Sequence, residues 1–277
     1  MLISKTKKHV RIFKSKSALA LPVTYLILFV STLLLISVTY FFAVQQVNDQ
    51  KQSFQIVTAK QDMTSLNNDI LSVYSQPGSA ATLDFRDSGG QLNIEPASNS
   101  LALTISDGSG INAEIFNSTT GQVVYELPAS TTADTDFYLD GDSSTITNQS
   151  SASLSQLYIE SGFQGPQIQL GYRPAVTYIS AGEENNKVVN DIRIYIVNLN
   201  SSTPLSLQGE LPLQISCVGT QLTTESFQTS QSENLAVTSQ LSGAVNSVSV
   251  PISSSSAGAT INVEIVVSNI SVEEAAG

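Results

Sequence analysis

Four acids crowd one short stretch of the chain: Asp134, Asp136, Asp140 and Asp142, the last two flanking Gly141. Carboxylate oxygens at this density are the hard ligands that calcium takes, so the stretch is a candidate structural calcium site, although its spacing is not that of an EF-hand loop. Asp140-Gly141 is equally a turn dipeptide, and an acidic loop on an acidic protein is solvated without any metal. The same acids would be wanted by a glycoside hydrolase, which sets two carboxyl groups about 5–10 Å apart across a cleft. Gly108-Ser-Gly110-Ile-Asn-Ala113 has the spacing of a dinucleotide-binding loop, which requires a helix after it. Ile111 to Ile115 alternate as a strand instead, so the stretch reads as a hairpin turn and no cofactor is expected.

Only one histidine (His9), one cysteine (Cys217) and no tryptophan occur in 277 residues. That excludes an internal disulfide and Cys/His metal clusters, and it leaves no imidazole base beyond the first turn of sequence. Cys217 alternates with Leu213 and Ile215 and reads as a small buried hydrophobe, with an intermolecular disulfide as the alternative. No catalytic residue is assigned, and the chain is expected not to be an enzyme. Glycosylation acceptors occur at Asn117, Asn148, Asn200 and Asn269. The first three fall in turn-like segments, whereas Asn269 falls in a strand-like one.

These residues must be positioned by elements whose charges are unevenly placed. Lys5, Lys7, Lys8, Arg11, Lys14 and Lys16 are half of the 12 basic residues, and the first acid is Asp49. Residues 17–277 therefore carry six basic and 23 acidic groups, a net of −17. Such a body cannot neutralise a row of phosphates, which excludes nucleic acid as its partner. Between head and body, Ala18–Val44 is 27 residues without a charge. As a helix it spans about 40 Å against a hydrocarbon core of roughly 30 Å, long enough for a transmembrane segment and too long for the apolar region of a secretory signal. The cations before it place the N-terminus in the cytoplasm and the body outside.

Beyond the span, Ile56, Ala59, Met63, Leu66, Ile70 and Val73 recur at spacings of 3, 4, 3, 4 and 3. They form one helical stripe, which ends at the stop signal Pro77-Gly78. The stripe must be buried, beneath the sheet structure of its own chain or against neighbouring helices. From Gly78 onward the apolar residues alternate in twos. The strands are Leu83/Phe85, Leu92/Ile94, Leu101–Ile105, Ile111–Ile115 and Val123–Leu127, separated by turns at Asp87–Gly90, Asp107-Gly108 and Thr120-Gly121. A loop with one edge strand at Phe137–Leu139 fills 130–153. Strand signals resume over 154–159, 167–172, 175–179, 191–199, 211–218, 235–240, 245–252 and 261–267, with Glu183–Asn186 as a hairpin tip. The expected fold is mainly β: a basic leader (1–17), a transmembrane helix (18–47), an amphipathic helical stalk (48–77) and an extracellular β-sandwich (78–277). A division into two lobes near 162–166 is the alternative.

A basic leader, a small-residue site, an apolar helix that continues as an amphipathic one, and then a β domain together resemble archaeal type IV pilin-like proteins with class III signal peptides. Lys14-Ser-Lys16-Ser17-Ala18-Leu-Ala-Leu-Pro22-Val23 resembles their processing region. The resemblance covers about the first 75 residues and implies cleavage near Ser17 or Ala18. Where many members hold Glu at the fifth mature position, this chain has Pro22 or Val23. Pro22 is tolerated in a first helical turn. The implied function is a membrane-anchored surface protein of structural or adhesive type, whose N-terminal helix anchors or self-assembles. Its outside partners would be a surface layer or a surface glycan. The alternatives are a non-polymerising single-pass anchor for a surface-layer or motility partner, and a surface carbohydrate-active enzyme.

Overall fold

The computed structural model describes residues 17–108, 110–129, 131, 133–148, 153–163, 165–230 and 234–275, with side chains from residue 22 onward. The basic leader, apart from Ser17, lies outside the described residues. The chain divides into two compact units, Met1–Lys51 and Gln52–Gly277. Helix α1 (Ser17–Val73) contributes to both. Pro22 lies inside α1, past its first turn, where its ring nitrogen has no proton for the preceding turn's carbonyl.

In the second unit, α1 ends at Val73, before Pro77-Gly78. The Ser79 hydroxyl reaches its last carbonyl, Val73 O (3.0 Å), and the carbonyl of Gln76 in the turn beyond it (2.6 Å). Gly78 has φ 84°, and its N–H bonds Cys217 O at 2.8 Å, tying the chain's exit from the helix to the sheet.

Strands follow in the order β1 (Ala80–Phe85), β2 (Gln91–Ser106), β3 (Asn112–Glu126), β4 (Phe137–Asp140), β5 (Thr147–Asn148), β6 (Ser155–Ser161) and β7 (Pro166–Tyr172). Next come β8 (Ala175–Glu184), β9 (Lys187–Asn198), β10 (Leu205–Gln208), β11 (Leu211–Thr229), β12 (Asn234–Leu241), β13 (Ala244–Pro251) and β14 (Ala259–Glu274). One sheet has the order β1-β11-β14-β9-β8-β5; the other runs β13-β12-β2-β3-β7-β6-β4, with β10 added to β2. The fold is mainly β, as expected, and the sheets are curved into half-barrels. Pairing is antiparallel except for β14 with β9 and β5 with β8.

Period-2 alternation turns one face of each sheet inward. Leu101, Leu103 and Ile105 of β2 meet Ile192 and Ile194 of β9 and Val263 and Ile265 of β14 in one core. In a second core Leu92, Val123, Leu157 and Leu170 pack with Leu213, Ile215 and the helical stripe. Ala59, Met63, Leu66 and Ile70 are fully buried, Val73 is 3% exposed, and Ile56 packs against them half-buried. Of the two fates open to the stripe, burial beneath its own sheets is the one observed. At about 1.5–3 kcal/mol for each large apolar side chain, α1 beyond residue 52 is a principal part of this core.

Local signals located most strands but misjudged their ends. Thr120-Gly121 is no turn: it lies within β3, which runs unbroken to Glu126. Gly121 is there because a Cβ would come within 2.9 Å of Leu199 Cβ and 3.1 Å of Glu95 O. The segments Leu92/Ile94 and Leu101–Ile105 are likewise one strand, with register shifts between Glu95 and Asn99 and between Leu103 and Thr104. The tip Asn185-Asn186 is the hairpin expected, both residues having positive φ (51° and 64°). Between β6 and β7, where the two-lobe alternative sets its division, Gly162 N–H bonds Gly165 O at 2.8 Å.

Candidate functional site

The first unit presents an exposed apolar surface. Every residue from 22 to 51 is exposed, including Leu28, Phe29, Leu34, Leu35, Phe41 and Phe42, which lie on all sides of α1. One helix in the described residues is long and apolar enough to cross a membrane. Its few hydroxyls suit lipid: Ser31 and Thr32 both donate to Leu28 O (2.9 and 2.7 Å), Ser37 to Leu33 O (2.8 Å) and Thr39 to Leu35 O (2.8 Å). A hydroxyl satisfied by its own helix needs no water. Ser17 and Ala18, the proposed processing positions, are the first residues of α1.

In the second unit the acids of 134–142 are not gathered. Among the described residues, no three His, Cys, Asp or Glu side chains come together as metal ligands. Asp140 and Asp142 instead serve two polar clamps. Asp142 pairs with Arg173, whose side chain is fully buried while that of Asp142 is 56% exposed. The same guanidinium donates to Ser153 O and Ser144 O, each at 3.0 Å. Hydrogen bonds from Arg173 and then from Ser144 hold the Asp142 carboxyl well below the usual carboxylate range. Asp140 accepts from Ser155, from Ser153 (2.9 Å) and from Asn67 of α1 (3.1 Å). Burial would raise its pKa, but these bonds and the Gly141 N–H outweigh that cost and lower it. Asn67 in turn accepts from the buried Tyr172 hydroxyl at 3.0 Å, so one amide joins α1, β6 and β7. Asp140, Asp142, Ser144 and Ser153 are thereby tied to the core. Asp134 and Asp136 take no part in either clamp, and Asp136 adopts positive φ (66°).

The sequence showed the acids but not their partners. Arg173, a cation in the apolar run Leu170–Ala175, was the available signal, since a buried Arg requires acceptors. Asp62 was a second hidden residue. It is 3% exposed and accepts from the Arg86 N–H (3.0 Å) and Nε (2.9 Å), joining α1 to the chain after β1. Cys217 is buried, with Sγ 3.8 Å from Tyr74 O, which is the small-hydrophobe role.

The sequons differ in what a glycan would disturb. Asn117 is exposed on β3, and its side-chain amide donates to the neighbouring Glu114 at 3.1 Å. Asn200 has its amide engaged on both sides, donating to Thr119 O (2.7 Å) and accepting from the Ala97 N–H (2.8 Å). Asn269 lies within β14 and accepts from Asn198. Asn148 ends β5, and the rest of its sequon lies outside the described residues. No family model, curated protein or solved structure matches this chain.

Proposed function

We propose that this chain is a membrane-anchored, pilin-like surface protein whose β unit faces the outside and acts by binding and not by catalysis. The observation that carries the reading is the division of labour along α1. From residue 52 its apolar stripe is consumed by the chain's own core, while the apolar side chains from 22 to 44 are exposed on all sides of the helix among the described residues. A helix apolar on every side needs lipid or other apolar helices around it. The basic leader supports an N-terminus in the cytoplasm. Its resemblance to pilin-like precursors supports release near Ser17 and packing of the freed helices against one another. Engagement of Asp140 and Asp142 in structural bonds supports a non-catalytic role for the acidic loop. Asn117 is the acceptor best placed for a glycan.

Orientation is tested with protease added to intact cells. Residues 52–277 are expected to be degraded before lysis. A β unit protected until the cells are opened contradicts the orientation.

A further inference from the structure

We propose that the β4-β6-β7 face of the second unit holds a binding groove for a neutral oligosaccharide, a pyranose ring stacking on Tyr138 and Tyr158. The groove has a volume of about 190 Å³, far above the roughly 10–15 Å³ that admits one water. In register, Tyr138 of β4 lies beside Tyr158 of β6, and Tyr158 beside Gln169 of β7. The two rings are 5.4 Å apart, and Tyr138 is 39% exposed.

Three observations define the ligand. The residues lining the groove are tyrosines, amides, hydroxyls and small or apolar side chains, with no cation and no carboxylate among them. An anion or a metal ion would therefore touch no charged side chain in the lining, whereas a neutral polyol finds both donors and acceptors. The amides are held in place: Gln156 donates to Asp142 O (2.9 Å) and Ser144 O (3.1 Å), and Gln169 is fixed between the Tyr158 hydroxyl and Glu160. Gln156 Oε1 and the Tyr138 hydroxyl have no partner among the described residues and remain for a ligand. Finally, the lining contains Gly171, the last residue but one of β7, in register with Gln156. A Cβ built at Gly171 meets nothing within 4 Å, so the strand does not need glycine for its own packing. The open space over Gly171 leaves room there for another molecule to approach the backbone.

This deepens the adhesive side of the proposed function, and rests on it only for where the sugar is met. The test uses the full chain in lipid nanodiscs, with maltohexaose and cellohexaose as probes and saturation-transfer NMR titration as the readout. Saturable binding of either sugar is expected, weakened at least about tenfold by Tyr138→Ala and abolished by Gly171→Val, which fills the groove. Both variants should keep the wild-type unfolding midpoint, and Tyr178→Ala, on an exposed tyrosine of β8, should bind as wild type. Absence of saturable binding of both sugars overturns the proposal, as does binding that survives Gly171→Val. Preference for hexagalacturonate over both neutral probes would overturn it as well. None of these outcomes bears on the orientation of the helix, which the protease experiment reads separately.

Discussion

Replacement of Arg173 by alanine is expected to destabilise the β unit by about 3–5 kcal/mol, the cost typical of breaking a buried ionic cluster from one side. In a unit of this size that corresponds to a thermal midpoint lower by roughly 6–20 °C. The loss arises because Ser153 O and Ser144 O are left without the guanidinium that satisfies them, and a volume the size of Arg173 empties in the interior. Asp142→Asn should destabilise on the same scale, about 3–5 kcal/mol, because it leaves the fully buried Arg173 guanidinium without its counter-charge. Lysine at 173 should not restore stability, because an ammonium cannot reach three acceptors set around a planar fork.

The pH dependence has a fixed sign. Asp140 and Asp142 both titrate below the ordinary value of 3.8 in the folded chain, so their stabilisation is complete above that value and is lost as pH falls through their folded values. The gap between the thermal melts of wild type and Arg173→Ala should therefore narrow from pH 7 toward pH 2 without closing, because the lost carbonyl bonds and the emptied volume do not depend on pH. A constant gap between the two curves would show that the cluster is not held by charge.

The second large effect concerns the helical stripe. Leu66→Ala and Ile70→Ala should each destabilise the β unit by about 2–5 kcal/mol, and the midpoint should not depend on protein concentration, because both side chains are buried within one chain. The two losses are not expected to add, since the residues are one helical turn apart and share a core. Leu28→Ala and Leu34→Ala, on the exposed apolar half, should leave that midpoint unchanged. Midpoints that stay fixed in the stripe variants while association between chains weakens would assign the stripe to neighbouring helices instead.

The stripe at Ile56–Val73 was legible in the sequence because its period is local and no Gly or Pro interrupts it; what it packs against was not, since own sheets and foreign helices demand the same residues. The hairpin at Asn185-Asn186 was legible because two residues able to adopt positive φ lie between alternating runs. Gly121 was misleading: glycine serves a turn and a close approach equally well, and only the neighbouring Leu199 and Glu95 distinguish the two. β10 escaped notice because Leu205 and Leu207 alone make a four-residue alternation. The parallel pairing of β14 with β9 joins segments about 70 residues apart, which no local pattern reports. At the acidic loop the carboxylates were visible as a cluster, but the chemistry of Asp142 depended on Arg173, 31 residues beyond it and past β5, β6 and β7.

That the apolar part of α1 first anchors the precursor and then assembles can be read from N-terminal sequencing of the protein in cell membranes and in material sheared off the cell surface. A mature start at Ala18 or Leu19 in the sheared fraction is the expected result. Protein that retains Met1 and is found only in membranes would contradict assembly and leave a plain single-pass anchor.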